Sequence, residues 1–215
     1  MNMLEIQNLK KSFGSRQVIK DVSFSIPEHT IFGFVGQNGA GKTTTMKMIL
    51  GLLKIDDGSI KVNGMDVHYG NTKTNQFIGY LPDVPEFYTY MTPREYLRFS
   101  GEIAGVDKSK LKNRIEELLT LVGLADEKHR IKGFSRGMRQ RLGIAQALIQ
   151  KPKLLICDEP TGNLDPETGH NIVALLYEIC KSQKTAVVMS THNMRFLDDF
   201  PFLYNIKVST KLSLI

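Results

Sequence analysis

The stretch Gly36-Gln37-Asn38-Gly39-Ala40-Gly41-Lys42-Thr43-Thr44-Thr45 limits what this chain can fold into more than any other segment. It follows the apolar run Ile31-Phe32-Gly33-Phe34-Val35 and precedes Met46-Lys47-Met48-Ile49-Leu50, so a buried strand, a loop with little side-chain bulk and a helix stand in that order. The spacing from Gly36 to Gly41-Lys42-Thr43 matches the P-loop pattern Gly-x-x-x-x-Gly-Lys-Ser/Thr in the strand-to-helix setting that the pattern needs. Backbone N–H groups of such a loop, backed by the positive end of the helix dipole, form a nest for phosphate oxygens, and glycine lets the chain curl close around them. Lys42 would reach the β- and γ-phosphates as a point charge, and Thr43 would offer its hydroxyl to Mg2+. Gly36, Asn38, Gly39, Ala40, Gly41, Lys42, Thr43 and Thr44 are the candidate residues for holding a nucleoside triphosphate; the alternative is a glycine-rich turn that binds nothing.

The remaining pattern is that of an α/β chain. Ile31 to Val35, Leu154 to Cys157 and Ala186 to Met189 are short apolar runs rich in branched residues, as expected of parallel strands covered on both faces. Helical patterns follow the first two, and one precedes the third. Leu4 to Leu9 and Val22 to Ile26 alternate apolar and polar residues and read as antiparallel edge strands, the second stopped by Pro27. Asn63-Gly64 between apolar neighbours marks a hairpin turn. Thr92-Pro93-Arg94-Glu95 combines an N-cap, a first-turn proline and an early acid, opening a helix toward Ala104. Leu111, Ile115, Leu118, Leu119 and Val122 share one face of a second helix that ends near Gly123. The expected architecture is a single domain over residues 1–215. A P-loop NTPase core of mainly parallel sheet occupies about 1–84 and 151–215, with an antiparallel β edge subdomain and an inserted α-helical subdomain at about 85–150.

Composition narrows the classes. No segment approaches the roughly 20 apolar residues of a membrane-spanning helix, and Met1 to Glu5 begins with neither a basic stretch nor a long apolar one, so a cytoplasmic location is expected. Cys157 and Cys180 have neither metal-ligand spacing nor disulfide density, and read as reduced small hydrophobes. Lys and Arg number 28 against 22 Asp and Glu, a net +6, but they are spread along the chain with no dense basic block. A solvated surface is the favoured reading over a nucleic-acid footprint, and no nucleic-acid partner is expected.

Lys153-Leu154-Leu155-Ile156-Cys157-Asp158-Glu159-Pro160 is an apolar strand ending in two acids, at the carboxyl edge where α/β sheets bind ligands. Asp158 is suited to hold Mg2+ through water and Glu159 to polarise a water that attacks the γ-phosphate; the alternative is a helix cap with first-turn charge. With these residues in place, the chain up to about Asn193 resembles the nucleotide-binding subunit of an ATP-binding cassette (ABC) transporter, and its motifs follow that family's order. Phe13 in Lys-Lys-Ser-Phe-Gly matches the aromatic position that stacks on adenine, the alternative being a plain edge-strand aromatic. Phe134 to Leu142 matches the family signature, Gly162 to Pro166 the D-loop, and Ser190 to His192 the switch histidine.

The resemblance implies that Ser135 and Gly137, at a helix N-terminus, cap the γ-phosphate of ATP held by the P-loop of a second copy, so that a head-to-tail dimer sandwiches two ATP molecules. It implies that Asp165 links the two sites and that His192 senses the γ-phosphate. Taken singly, Ser135 also reads as the cap of a basic helix, Asp165 as the acid of an Asp-Pro turn, and His192 as a hydrogen-bonded strand-edge residue.

Three departures stand out. Asp83, within Ile78 to Tyr88, replaces the family's usual glutamine; it offers a carboxylate to Mg2+ with altered coupling to the membrane subunit, or is a loop residue before Pro85 with no metal role. Arg136 and Met138 replace glycine and glutamine, and this Ser-x-Gly-Met form resembles exporters of the drug-resistance and lantibiotic-immunity kind. After His192, Phe202 to Val208 offers a strand, but the family's hairpin glycine is missing and no regulatory domain is expected. The expected function is Mg2+-dependent ATP binding and hydrolysis by a homodimerising subunit. It would drive a separate transmembrane permease, docked near Asp83, and lie peripherally at the inner face of the membrane. One rival is a soluble ABC-type ATPase acting on nucleic acid or ribosomes, which would carry a coiled-coil insertion or two cassettes; another is a regulatory module without turnover, which Glu159 and His192 oppose.

Overall fold

The computed structural model describes residues 1–193, 201–206 and 210–213. Two long strands, β1 (Asn2–Phe13) and β2 (Arg16–Pro27), pair antiparallel around a tight turn at Gly14. They are followed by β3 (Ile31–Val35), α1 (Lys42–Ile49), β4 (Asp57–Val62), β5 (Met65–Asp66), β6 (Ile78–Leu81), α2 (Pro93–Ile103), α3 (Lys108–Leu121) and α4 (Arg136–Ala147). The chain continues with β7 (Leu154–Cys157), α5 (Pro166–Ser182), β8 (Ala186–Thr191), β9 (Phe202–Asn205) and β10 (Thr210–Ser213). Local chemistry explains several boundaries. Thr92 and Glu95 form a reciprocal capping box at the start of α2. Asn63 and Gly64, at φ 50 and 76, give the β4–β5 hairpin the left-handed pair that a type I′ turn requires.

The strands form two sheets, one in the order β2-β1-β4-β5 and one in the order β10-β9-β3-β8-β7-β6. The first is antiparallel; the second is parallel from β9 to β6, with β10 antiparallel at its edge. Alternate residues of the central strands feed two cores, so these strands are buried on both faces. Ile31, Val35, Leu155 and Cys157 pack with α2–α5, while Phe32, Phe34, Leu154 and Ile156 pack with α1 and the antiparallel sheet. The helices between Pro93 and Ala147 therefore share a core with the main sheet rather than building one apart from it.

Three local results differ from the pattern reading. β1 is not an edge: it lies between β2 and β4. Its length was masked because bulges interrupt the alternation, one of them spanning Ile6 to Leu9 with Asn8 at φ 47. β6 was hidden because Gly79 breaks its apolar run, and a Cβ there would run into the Ala147 carbonyl at the end of α4. Of the strand expected from Phe202 to Val208, Phe202–Asn205 pairs parallel with β3, and β10 pairs with it although no glycine marks a hairpin. Residues 207 and 208 lie outside the described residues, as does 194–200, where the family's following helix and Asp-Arg pair would fall.

Candidate functional site

The carboxyl ends of β3, β7 and β8 lie side by side at the middle of the parallel sheet, with Val35 in register with Thr191 and Cys157 with Met189. Loop 36–41 leaves β3 there and ends at Gly41, the N-cap of α1, at φ 103. A Cβ on Gly41 would meet Ile19 of β2, and one on Gly36 would meet Ile206 at the end of β9. Gly41 thus answers both a left-handed backbone and a close approach. The start of α1 has no side-chain cap and no acid in its first turn, whereas Thr92, Asp107, Ser135 and Asp165 cap the other four α-helices among the described residues. First-turn N–H groups have no partners within a helix, so those of α1 are left for an anion.

Lys42 is 6% exposed, and its Nζ donates to the carbonyls of Gly36 (2.6 Å) and Gln37 (3.2 Å). The Thr43 hydroxyl donates to Asp158 Oδ2 at 2.7 Å. Ser190 ties the two neighbouring acids together: its hydroxyl donates to Asp158 Oδ1 at 2.7 Å and accepts the Glu159 N–H at 2.9 Å. Glu159 has φ 48, a left-handed conformation that non-glycine residues adopt chiefly where surrounding contacts enforce it. Its Oε2 lies 2.8 Å from His192 Nδ1 and accepts the His192 backbone N–H at 3.3 Å. Among the described residues no hydrogen-bond donor is aimed at its buried Oε1, although Lys42 Nζ stands at an ion-pair distance of 3.0 Å. That oxygen keeps an electrostatic partner and retains capacity to accept a proton or a hydrogen bond.

Asn38, Gly39, Lys42, Thr43, Asp83 and Glu159 line a cleft of about 300 Å³. Burial, and next the charges of Asp158 and Glu159, push the Asp83 carboxyl above its ordinary range, so a third acid faces the same space. Among the described residues, no three His, Cys, Asp or Glu side chains form a metal-holding group. Thr43, Asp83 and Asp158 instead present hard oxygen ligands, which suits Mg2+ carried by a polyphosphate: that ion takes one or two carboxylates and completes its shell with phosphate oxygens and water. The uncapped α1, the oxygen donors and the Glu159 carboxylate ion-paired with Lys42 together fit a Mg–nucleotide.

The remaining candidates are not gathered into this cleft. Phe13 is 49% exposed at the end of β1, with Lys11 Nζ 5.4 Å from its ring. Its cross-strand partner Arg16 lines a 220 Å³ cavity with Lys20, Gly39 and Ala40 beside the loop. Ser135 accepts the Met138 N–H at 3.2 Å and Asp165 the Thr168 N–H at 2.9 Å, so each caps its own helix on the surface. Gly137 lies in the first turn of α4. Ser190, read only as the start of a motif, is the residue whose role the sequence concealed; a hydroxyl closing an apolar strand was its sole signal.

A glycine loop between strand and helix at the centre of a parallel sheet, with an acid at the end of the next strand but one, defines a P-loop NTPase. The model of the ABC transporter family matches residues 19–162, and the chain belongs to that family. It is 44% identical over 191 residues to the uncharacterized ABC transporter ATP-binding protein YxlF of Bacillus subtilis (strain 168), across 88% of this chain and 62% of YxlF. It is 39% identical over 191 residues to the bacitracin transport ATP-binding protein BcrA of Bacillus licheniformis, across 88% of this chain and 61% of BcrA. The lantibiotic transport ATP-binding protein SrtF of Streptococcus pyogenes is 38% identical over 211 residues, 96% of this chain and 89% of SrtF. The chain thus spans less than two thirds of the length of YxlF and BcrA. Among solved structures, cbiO1 from Clostridium perfringens, part of the ABC transporter complex cbiONQ, shares the fold at TM-score 0.89 with 23% identity, over 98% of this chain and 87% of that one. An ATP-binding subunit of an ABC transporter superposes at TM-score 0.83 with 28% identity, over 99% of this chain and 90% of that one. Among the described residues, no helix is long and apolar enough to cross a membrane.

Proposed function

We propose that this chain binds Mg–ATP and hydrolyses it as the ATP-binding part of an exporter, two copies enclosing two ATP molecules and driving a separate transmembrane permease. The observation that carries this reading is the single cleft in which the P-loop residues Lys42 and Thr43 meet Asp83 and Glu159, with Asp158 bonded to Thr43. The α1 N–H groups and Lys42 bind the phosphates; Phe13 stacks on adenine, beside Arg16 and the loop. Thr43, Asp158 and Asp83 would hold Mg2+, which when bound neutralises phosphate charge. Glu159 accepts the proton of the attacking water, and His192, hydrogen-bonded to it, holds the carboxylate in place. Ser135 and Gly137 serve the phosphates of the second copy, and Asp165 communicates between the sites.

The exporter assignment is supported by the resemblance to proteins described as bacitracin and lantibiotic transport ATP-binding proteins. Docking of the permease near Asp83, and with it a peripheral position at the inner membrane face, is supported by an aromatic groove next to that loop. Phe87, Tyr88, Tyr96, Phe99 and Ile103 line it, with Ile103 72% exposed. Glu159→Gln tests the core of the proposal: it should retain ATP binding, lose hydrolysis by about 100-fold or more, and accumulate as an ATP-dependent dimer on gel filtration. Hydrolysis at the parental rate would remove Glu159 from the mechanism.

A further inference from the structure

Two lysine–aspartate pairs stand side by side where β1 meets the start of β4, and they differ. Lys10 Nζ lies 2.8 Å from Asp57 with both side chains exposed, so water screens the pair and it contributes little. The Lys11 side chain is only 11% exposed, and its Nζ donates to Asp56 Oδ1 at 2.7 Å. Asp56 Oδ2 accepts the Ser12 N–H at 2.7 Å, and the Asp56 N–H donates to the Lys10 carbonyl at 3.2 Å. Asp56 is thus tied to β1 three times. The Lys11 ammonium, and next the Ser12 N–H, hold its carboxyl below the ordinary range.

The same ammonium stands over the Phe13 ring, 5.4 Å from its centroid. A cation there is attracted by the ring quadrupole and favours one ring orientation. β1 lies between β4 and β2. Asp56, which anchors Lys11, immediately precedes β4, whereas Arg16 and Lys20, which line the cavity beside Gly39 and Ala40 of the P-loop, belong to β2. The half-exposed ring at the end of β1 therefore has its cation anchored from the β4 side and the cavity on the β2 side. An ammonium on one face of a ring also leaves the other face less negative, which favours stacking of an electron-rich purine there.

We propose that Lys11, anchored by Asp56, is a positioning residue for base recognition, bracing the Phe13 ring from the β4 side so that the purine stacks on the side of the P-loop cavity. This rests on the reading of Phe13 as the adenine-stacking residue. Lys11 then acts on the part of the affinity that comes from the base and not on the part that comes from the phosphates.

Calorimetric titration with Mg–ATP and with Mg–tripolyphosphate, which has the phosphates but no base, separates the two parts. Lys11→Met keeps the apolar stem and removes the charge; it should weaken ATP binding by about fivefold and leave tripolyphosphate binding unchanged. Lys11→Arg, whose guanidinium keeps the ion pair and stacks on aromatic rings, should bind ATP as the parent does. In a double-mutant cycle, Lys11→Met should add no further loss to Phe13→Leu. Equal losses for the two ligands, or a loss that persists in the Phe13→Leu background, would reduce Lys11 to a structural or long-range electrostatic role and overturn the inference. Tighter ATP binding by Lys11→Met also overturns it, because the ammonium would then occupy the face that the base needs. Asp56→Asn, on the surface and still able to accept the Ser12 N–H, carries the same test if Lys11→Met fails to fold. It should weaken ATP binding by about twofold and spare tripolyphosphate, and unaltered ATP binding would remove the anchor. Phe13→Leu with undiminished ATP affinity defeats the adenine stack and this inference with it, whereas a loss in Phe13→Leu without one in Lys11→Met defeats the inference alone.

Discussion

At the start of α1 no side chain caps the N–H groups behind Gly41, whereas at the starts of α4 and α5 the Ser135 hydroxyl and the Asp165 carboxylate each accept one first-turn N–H, from Met138 and Thr168. All three ends face the same physical demand, since the first turn of any helix has donors with no helical partner. The difference lies in who meets it. The loop into α1 approaches Ile206 at Gly36 and Ile19 of β2 at Gly41, and the uncapped N–H groups beyond it suit an anion as acceptor. α4 and α5 carry side-chain caps of their own, and their capping residues remain exposed. On the proposed reading, one region is a site that the chain opens for a ligand, and the other a capped surface whose chemistry serves a second copy.

The strongest way to break this contrast is to make α1 resemble α5. Gly41→Asp places a carboxylate at the N-cap of α1, where it competes for the N–H groups and repels phosphate. Like-charge juxtaposition costs several kcal/mol, so ATP affinity should fall by at least about 100-fold in a fluorescent-nucleotide titration. The left-handed φ of 103 and the contact with Ile19 add strain, so Tm should fall as well. Retained affinity would mean that the bare helix end is not the phosphate anchor.

A second comparison sharpens the other half. Ser135→Ala and Thr92→Ala each remove a helix cap, and each should cost about 1 kcal/mol, or roughly 2–4 °C in Tm for a chain of this size. Thr92 caps α2, away from the cleft lined by Asp83 and Glu159, so its loss should leave hydrolysis unchanged. Ser135→Ala should in addition lower hydrolysis by about tenfold, the order expected when one phosphate-facing donor is lost. Equal activity in the two variants would reduce Ser135 to a cap.

The sequence made the α1 region legible because its chemistry is local: loop, lysine and threonine lie within ten residues, and the flanking apolar runs name a strand and a helix. The acids of β7 were legible for the same reason. What stayed hidden depends on contacts between distant segments. Ser190 acquires its role only when β8 lies beside β7, which brings its hydroxyl to Asp158 across 32 positions of sequence. β6 was obscured by Gly79, whose lack of a side chain serves the end of α4 rather than the strand. The true position of β1, inside a sheet, depends on pairings on both its sides that period-two alternation does not encode. The partner-facing roles proposed for Ser135 and Asp165 rest on family resemblance; their local geometry within one chain is that of ordinary caps.

The smallest effect, and the one that opposes the two regions most directly, is the pH dependence of Asp83 and Asp165. The Asp165 carboxyl is held below its ordinary range by hydrogen bonds from Thr168, so its ionised form favours the folded state. That contribution is fully present above the ordinary carboxylate range and is lost as pH falls through the lowered folded value. Asp83 has the reverse sign: burial, Asp158 and Glu159 raise its pKa, so its ionised form disfavours the fold at neutral pH, and the cost disappears as pH falls below the ordinary range. Asp165→Asn keeps the capping geometry and removes the charge. It should lower Tm slightly at pH 7 and less as the solution is acidified toward pH 4. Asp83→Asn should raise Tm at pH 7 in the absence of nucleotide, with the gain shrinking over the same interval. Parallel rather than opposite changes across a set of melting curves would show that the acid near the P-loop is not strained by its neighbours, and that the electrostatic contrast between the two regions is absent.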